Sequence, residues 1–169
     1  LEIRVLVPVA LRPLAESAKL GNHFGSVILA LPVHVADPWE RLQILKARMA
    51  ALKQSPEATI MLTSMSLVGY APGDLAGRLI ELFSKSCSAI MTNVPGPQYP
   101  LYLNGVPLQN VMVWGPLSGR LGVSSSILSY NGRVTLGIIS DANLVPDPDA
   151  LVAAFGQEFA ALQDRIANL

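Results

Sequence analysis

A mixed α/β fold is what this sequence of 169 residues predicts. Short runs rich in Val and Ile, bounded by Pro, Gly and Asn, predict strands, and longer stretches with apolar residues three or four positions apart predict helices. The order along the chain is two strands, three helices, about five strands and a final helix. We therefore expect an α/β (α+β) fold, in which a mixed sheet of about six to eight strands packs with about four helices.

The first two strands are predicted at residues 3–10 and 24–33, whose apolar runs suit strands that are buried on both faces. A helix should begin after Asp37, because Asp37 is a good N-cap, Pro38 suits the first helical position and Glu40 completes a capping box. The helix is expected to reach Gln54, with one apolar stripe formed by Leu42, Leu45, Met49 and Leu52.

Two further helices are predicted at residues 56–68 and 74–86, separated by the helix-breaking residues 69–73. The first of them has no charge after Glu57, and its apolar residues cover most of its circumference. We therefore expect this helix to be sandwiched between other elements, with a partner domain as one candidate.

The second half of the chain is mainly strands, with Asn104-Gly105 and Asn131-Gly132 each predicting a two-residue hairpin turn. The strands are predicted at residues 88–94, 101–103, 106–108, 111–114, 123–130 and 134–139. Asp147 caps a closing helix that should end near Asn168. One face of that helix carries Leu151, Phe155, Phe159, Leu162 and Ile166.

Composition excludes several classes of protein. Apolar residues make up 51% of the chain and charged residues only 14%, but charges, Gly and Pro interrupt every stretch that could span a membrane as a helix. Twelve basic and twelve acidic residues give a net charge of zero, so we expect no nucleic-acid partner. Cys87 is the only cysteine, which excludes an intrachain disulfide and fits a reducing, cytoplasmic compartment.

The chain has more apolar surface than a domain of this size readily buries, which leaves three interpretations open: a subunit, half of a larger fold, or a module for an apolar ligand. The sequence starts directly in a strand-like run, without an initiator Met or a signal peptide. We interpret that start as a cut. The expectation is a single domain, 1–169, that forms the C-terminal half of a larger protein.

The most unusual motif is Thr92-Asn93-Val94-Pro95-Gly96-Pro97, which follows an apolar strand. The Pro95-Gly96-Pro97 turn fixes the backbone direction and holds Thr92 and Asn93 at the end of the strand. A hydroxyl and an amide can both donate hydrogen bonds to an oxyanion. The alternative is a plain strand terminator in which Asn93 bonds the backbone of the turn.

Other potentially reactive residues have simpler explanations. His23 and His34 lack the neighbours that nucleophilic or metal chemistry needs, so we expect no metal site. Cys87 reads as a buried small hydrophobe without a basic partner. Asp147 and Asp149 are explained by a helix N-terminus. The run Ser124–Ser126 either lines a tunnel or allows close strand packing, and the residues alone do not decide between these roles.

Seven short stretches together resemble the C-terminal domain of the bacterial wax ester synthase/diacylglycerol acyltransferase family. They occur in the order of the family over nearly the whole chain, and the Asn-Val-Pro-Gly-Pro core makes the set specific. The stretches are LVPVALR (6–12), LGNHFG (20–25), LPV (31–33) with DPWERL (37–42), TNVPGP (92–97), PLYLNG (100–105), SYNG (129–132) and LVPDPDAL (144–151).

The resemblance implies a chloramphenicol-acetyltransferase-like half of an enzyme that transfers a fatty acyl group from acyl-coenzyme A to a long-chain alcohol or to diacylglycerol. The family's general-base histidine lies in an HHxxxDG motif of the N-terminal half. This sequence has no such string, so the resemblance implies no catalytic residue in this chain and an inactive fragment on its own. Acyl-coenzyme A is then a co-substrate, with no bound cofactor.

By analogy with related acyltransferases, Thr92 and then Asn93 are assigned to the oxyanion or to the acceptor hydroxyl, with Ser126 and Tyr130 as further tunnel or strand-edge positions. The expected partners are the N-terminal half, the two substrates, and the periphery of the membrane or of lipid inclusions. The alternative function is a non-catalytic module that binds lipid or protein through the same apolar surface.

Overall fold

The computed structural model describes residues 2–12, 16, 20, 23–117 and 119–168, without the side chains of residues 79, 80 and 82–84. The strands are β1 (Ile3–Ala10), β2 (Phe24–Leu31), β3 (Ala89–Pro95), β4 (Tyr102–Leu103), β5 (Val106–Pro107), β6 (Val123–Tyr130) and β7 (Arg133–Ser140). The helices are α1 (Pro38–Gln54), α2 (Glu57–Val68), α3 (Gly73–Ser84) and α4 (Pro148–Ala167). The predicted mixed α/β fold class is confirmed.

Five of these strands form one mixed sheet, in the order β2-β1-β3-β6-β7, and β4 pairs with β5 in a separate hairpin. The central strand β3 runs parallel to both of its neighbours, β1 and β6. The two outer pairs, β1–β2 and β6–β7, are antiparallel. The TNVPGP motif therefore leaves the sheet from its middle strand.

The register of the strands divides the side chains between two faces of the sheet. The first, which we call the cavity face, carries Leu6, Ser26, Ile90, Thr92 and Ser126. Leu6 pairs with Ile90, and Thr92 pairs with Ser126. Ser26 pairs with Pro8, which lies two residues after Leu6 on β1 and therefore on the same face. The opposite face carries Val5, Val27 and Asn93, and it contains the most deeply buried apolar side chains, with Val5 at 1% and Val27 at 0% exposure.

Both Asn-Gly pairs form the predicted hairpin turns. Asn104 and Gly105 have φ of 49° and 82°, and Asn131 and Gly132 have φ of 47° and 74°. Positive φ at both central residues is the geometry of a type I′ turn, which Asn-Gly favours. The first turn joins β4 to β5 and the second joins β6 to β7.

Local sequence signals also explain the first helices. The Asp37 carboxylate accepts a hydrogen bond from the Trp39 N–H at 3.0 Å, which caps α1 as predicted. On α2, the Glu57 carboxylate accepts a hydrogen bond from the backbone N–H of Ile28 at 3.2 Å, so this helix covers part of the free edge of β2. Only Ala58 of α2 is buried, so the predicted sandwich is not completed by the part of the chain that the structure describes.

Some predicted boundaries were wrong. The strand predicted at 24–33 ends at Leu31, and the helix predicted at 74–86 spans Gly73–Ser84. Residues 111–114, predicted as a strand, have no ladder partner among the described residues. Gly21 and Asn22 of LGNHFG lie outside the described residues.

No helix in the described ranges combines the length and the hydropathy that crossing a bilayer requires.

Candidate active site

An apolar cavity of about 400 Å³ lies over the cavity face of the sheet. Its floor consists of side chains from β1, β2 and β3, and its wall is the segment that follows the β4–β5 hairpin. The floor residues are Leu6, Pro8, Phe24, Ser26, Ile90, Thr92 and Val94, and the wall residues are Val113, Trp114, Gly115 and Pro116. Such a surface suits an apolar chain better than a charged ligand.

Thr92 is the predicted site residue that reaches this cavity. It is half-buried on β3, where it pairs with Ser126 of β6, and it is one of the residues that line the cavity floor. Asn93 follows it on the same strand and is exposed. Because successive side chains of a strand point to opposite faces, Asn93 lies on the opposite face of the sheet. The structure therefore does not bring the two residues of the motif to one site.

The serines of β6 lie beneath the wall of the cavity. The Ser126 hydroxyl is 1% exposed and accepts a hydrogen bond from the backbone N–H of Gly115 at 3.0 Å. Ser124 is equally buried, and its hydroxyl has no hydrogen-bond partner among the described residues. A Cβ at Gly115 would lie 2.7 Å from the Ser124 oxygen. Glycine and serine thus let the wall approach the sheet closely.

Tyr130 lies at the end of β6 and is 3% exposed. Its hydroxyl accepts a hydrogen bond from the N–H of Leu101 at 2.7 Å and donates one to the carbonyl of Leu108 at 3.1 Å. These two residues flank the β4–β5 hairpin, and they also bond each other, since the N–H of Leu108 donates to the Leu101 carbonyl at 2.8 Å. Tyr130 therefore fixes the base of the hairpin.

The Pro95-Gly96-Pro97 turn packs along the end of β6. The Gly96 N–H donates to the Ser129 carbonyl at 2.8 Å, and the Asn131 N–H donates to the Pro97 carbonyl at 3.0 Å. A Cβ at Gly96 would lie 2.5 Å from the Ser129 oxygen, so only glycine fits here. The turn thereby holds the end of β3 rigidly against the β6–β7 hairpin.

Cys87 lies on a second cavity, of about 430 Å³, at the end of the sheet from which β3 and β6 start. The thiol is buried, as predicted, and burial raises its pKa although Arg4 acts in the opposite direction. Lys85 and Arg120 line the same cavity, and both approach the Glu81 carboxylate, at 3.5 and 3.8 Å. A raised pKa disfavours the thiolate that a nucleophilic cysteine needs.

The histidines and acidic residues form no reactive cluster in the described ranges. His23 and His34 are both exposed. Asp147 caps α4 by accepting from the Ala150 N–H at 3.1 Å, which confirms the predicted cap. Within residues 2–12, 16, 20, 23–117 and 119–168, no three His, Cys, Asp or Glu side chains are placed to hold a metal ion.

Sequence reasoning missed most of the cavity. Phe24 and Ser26 were assigned to a strand without a site role, and residues 113–116 were assigned to a strand or left as a connection. The signal that could have found Ser26 is alternation, since it shares its face with Phe24 on β2. The position of the wall depends on the Gly115–Ser126 contact, which no local pattern indicates.

Comparison with known proteins agrees with this fold. Residues 20–163 match the family model described as the WS/DGAT C-terminal domain. A probable diacylglycerol O-acyltransferase of Mycobacterium tuberculosis H37Rv is 28% identical over 171 residues, which cover 99% of this chain and 35% of that protein. A second probable diacylglycerol O-acyltransferase of the same strain is 26% identical over 167 residues, covering 95% of this chain and 36% of the relative.

A solved structure gives the same picture. The wax ester synthase/diacylglycerol acyltransferase from Marinobacter aquaeolei VT8 superimposes with a TM-score of 0.65 at 24% identity, over 97% of this chain and 37% of that one, which shows a shared fold. The chain spans about a third of the length of the curated relatives named above. Since the family model matches most of the residues of this chain, the chain belongs to the WS/DGAT family and corresponds to its C-terminal domain.

Proposed function

We propose that this chain is the C-terminal half of a two-domain O-acyltransferase, which moves a fatty acyl group from acyl-coenzyme A to a long-chain alcohol or to diacylglycerol. The observation that carries the proposal is the apolar cavity with Thr92 among the residues of its floor. Membership of the WS/DGAT family supports it, because the matched relatives are named as diacylglycerol O-acyltransferases.

In the proposed reaction, a histidine of the N-terminal half removes the proton from the acceptor hydroxyl. The acceptor oxygen then attacks the thioester carbonyl, the new C–O bond forms, and the C–S bond breaks as the tetrahedral intermediate collapses. The sulfur leaves as the thiolate of coenzyme A, which takes up the proton from the histidine. The product is an ester of the acceptor.

This chain contributes the apolar lining and one hydrogen-bond donor. Leu6, Ile90 and Val94 give the acyl chain a surface without charge, and Thr92 donates from its hydroxyl to the oxyanion or to the acceptor oxygen. Ser126 and Tyr130 act one step away, since Ser126 holds the wall at Gly115 and Tyr130 holds the base of the hairpin.

The decisive experiment compares Thr92→Val with Asn93→Ala in the full-length protein. Thr92→Val removes the hydroxyl and keeps the shape of the side chain. We expect it to lower the rate of thiol release from a long-chain acyl-coenzyme A, with an alcohol acceptor, by about 100-fold, as the loss of an oxyanion donor does. Asn93→Ala is the matched control from the opposite face of the sheet.

The outcomes separate the alternatives. Wild-type turnover in a folded Thr92→Val variant contradicts the role of Thr92, and a loss confined to Asn93→Ala moves the reacting centre to the other face. The isolated chain should release no thiol unless the N-terminal half is added. Thiol release by the chain alone would contradict the assignment of the general-base histidine to the N-terminal half. No activity from two associated, folded halves would favour the lipid- or protein-binding module.

A further inference from the structure

A further apolar cavity, of about 250 Å³, lies between β2 and α2, and we call it the side cavity. Its lining comes from the start of β2 and from the middle of α2, and consists of Phe24, Gly25, Ser26, Met61, Leu62 and Met65. None of these residues is charged, and only Ser26 has a hydrogen-bond donor in its side chain. The side cavity therefore suits a hydrocarbon chain better than a charged or strongly polar group.

The contacts of α2 explain where this space lies. The first turn of the helix is held tightly to β2, because the Glu57 carboxylate accepts a hydrogen bond from the Ile28 N–H at 3.2 Å. Gly25 lies so close to Ala58 that no Cβ fits between them. The following turns supply the methionines of the side cavity, which are only half-buried. Methionine side chains are flexible, so they can adapt to an apolar ligand between helix and strand.

The side cavity adjoins the larger apolar cavity to which Thr92 belongs, and which we call the Thr92 cavity. Phe24 and Ser26 line both cavities. They lie two residues apart on β2 and therefore on the same face of the sheet. Phe24 is 47% exposed, so much of its ring is open to the surrounding space. The two cavities together form a branched apolar space, with the branch at Phe24 and Ser26.

The two acceptors of the proposed function differ in the number of hydrocarbon chains that they bring. A long-chain alcohol brings one chain, which joins the chain of the acyl thioester, whereas a diacylglycerol brings two chains of its own. Diacylglycerol therefore needs one more apolar space near the reacting carbonyl. We propose that the side cavity holds one of the two acyl chains of diacylglycerol while its free hydroxyl lies at Thr92. This inference rests on the proposed function.

The lining of the side cavity favours a lipid chain over a polypeptide segment. A polypeptide would bring N–H and C=O groups into the cavity, and these groups cost free energy when they are buried without partners. The Ser26 hydroxyl is the one side-chain donor that the described lining residues offer. A hydrocarbon chain needs no such partner. Met61 and Met65 then determine the room for the second chain, so we assign them to the preference for diacylglycerol over a linear alcohol.

Filling the side cavity in the full-length protein tests this assignment. Met65→Trp enlarges a side chain of the lining. Leu67→Trp is the matched control, because Leu67 is 68% exposed on the same helix and is not among the lining residues of either cavity. Transfer from one long-chain acyl-coenzyme A is measured with three acceptors: hexadecanol, dioleoylglycerol, and a diacylglycerol with one oleoyl and one acetyl group.

We expect Met65→Trp to lower kcat/KM for dioleoylglycerol at least about 10-fold, because its second long chain no longer fits. The other two acceptors have a single long chain, so their kcat/KM in Met65→Trp should equal that in Leu67→Trp. If Met65→Trp does not fold, Met65→Phe adds less volume to the same cavity and should show the same order of acceptors.

Every other pattern overturns the assignment. An equal loss with all three acceptors assigns the side cavity to the thioester chain or to the stability of the fold. An unchanged kcat/KM for dioleoylglycerol in a folded variant places the second chain elsewhere. Wild-type transfer to hexadecanol but not to dioleoylglycerol refutes the side-cavity assignment alone. No transfer to any of the three acceptors by the wild-type protein refutes the proposed function, and the assignment with it.

Discussion

Gly25 has no room for a side chain where β2 meets α2. A Cβ at this position would fall on the backbone carbonyl of Ala58, so the helix would have to move away from the sheet. We expect Gly25→Ala to lower the free energy of unfolding by about 2 kcal/mol or more. Chemical denaturation of the purified protein measures this loss.

The matched control is Gly77→Ala in α3, where a Cβ meets nothing within 4 Å. Alanine is favoured over glycine inside a helix, so this change should stabilise the protein by up to about 1 kcal/mol. Equal effects of the two substitutions would contradict the packing of α2 on β2.

Glu2 and Arg48 form an ion pair that shifts the pKa of Glu2. The Arg48 guanidinium lies 2.7 Å from the Glu2 carboxylate, and this hydrogen bond lowers the pKa of Glu2 below its ordinary value of 4.5. A lowered folded-state pKa means that the pair stabilises the fold above pH 4.5 and that this stabilisation is lost as the pH falls through the folded-state pKa.

We expect Arg48→Gln to return the pKa of Glu2 toward 4.5. A carboxyl titration followed by NMR measures the change, with Arg41→Gln as the control, because Arg41 pairs with Glu158 instead. An unchanged Glu2 titration in Arg48→Gln would show that Arg48 is not the cause.

The β4–β5 hairpin depends on Tyr130 for its attachment to the sheet. It has only two residue pairs of its own, which is too little for independent stability. Tyr130→Phe leaves the Leu101 N–H without its acceptor and the Leu108 carbonyl without its donor. We expect a loss of about 1–3 kcal/mol in the free energy of unfolding and faster amide exchange at Leu101.

The same substitution tests the site assignment of Tyr130. If Tyr130 acts only by holding the hairpin, Tyr130→Phe should lower the rate of acyl transfer only as far as it lowers the fraction of folded protein. A large loss of rate in a variant with wild-type stability would instead place the hydroxyl at the substrate.

The helix α4 shows how far periodicity alone leads. The predicted apolar face is present, and the rings of Phe155 and Phe159 stack with their centroids 6.1 Å apart. Yet these side chains remain 37% and 48% exposed, and α4 is tied to α1 by ion pairs of Arg41 with Glu158 and of Arg165 with Asp37. Periodicity indicates which face of a helix is apolar, but not how completely that face is covered.

Local chemistry explains why some elements were predictable. Asp37 before Pro38 specifies a helix start, and Asn131-Gly132 specifies a turn, because both signals act within a few residues. The strand at 111–114 was predicted from its residue types, but a ladder needs a second strand. The cavity was not predictable, since it depends on Leu6 lying beside Ile90 in the sheet.

Zero net charge is a property of the whole molecule. Twelve basic and twelve acidic residues give a pI near 6.9, and many apolar side chains are exposed in the described part of the chain. We expect the solubility of the chain to be lowest near pH 6.9, because charge repulsion between molecules is then weakest.

The soluble fraction measured from about pH 5 to about pH 9 checks this expectation. Glu16→Lys and Leu144→Lys each make the net charge more positive at an exposed position. Both substitutions should therefore move the solubility minimum to higher pH. A soluble fraction that is flat over this range would contradict the expectation.

The order β2-β1-β3-β6-β7 also sets the order in which the sheet can assemble. The β6–β7 hairpin closes over two residues, whereas β1 must find β3 across most of the first half of the chain, with Val5 beside Ala89. Loop closure of that span is slow compared with hairpin formation. During synthesis β1 and β2 leave the ribosome before β3 has been made, so the floor of the cavity can be completed only after β3 has joined them.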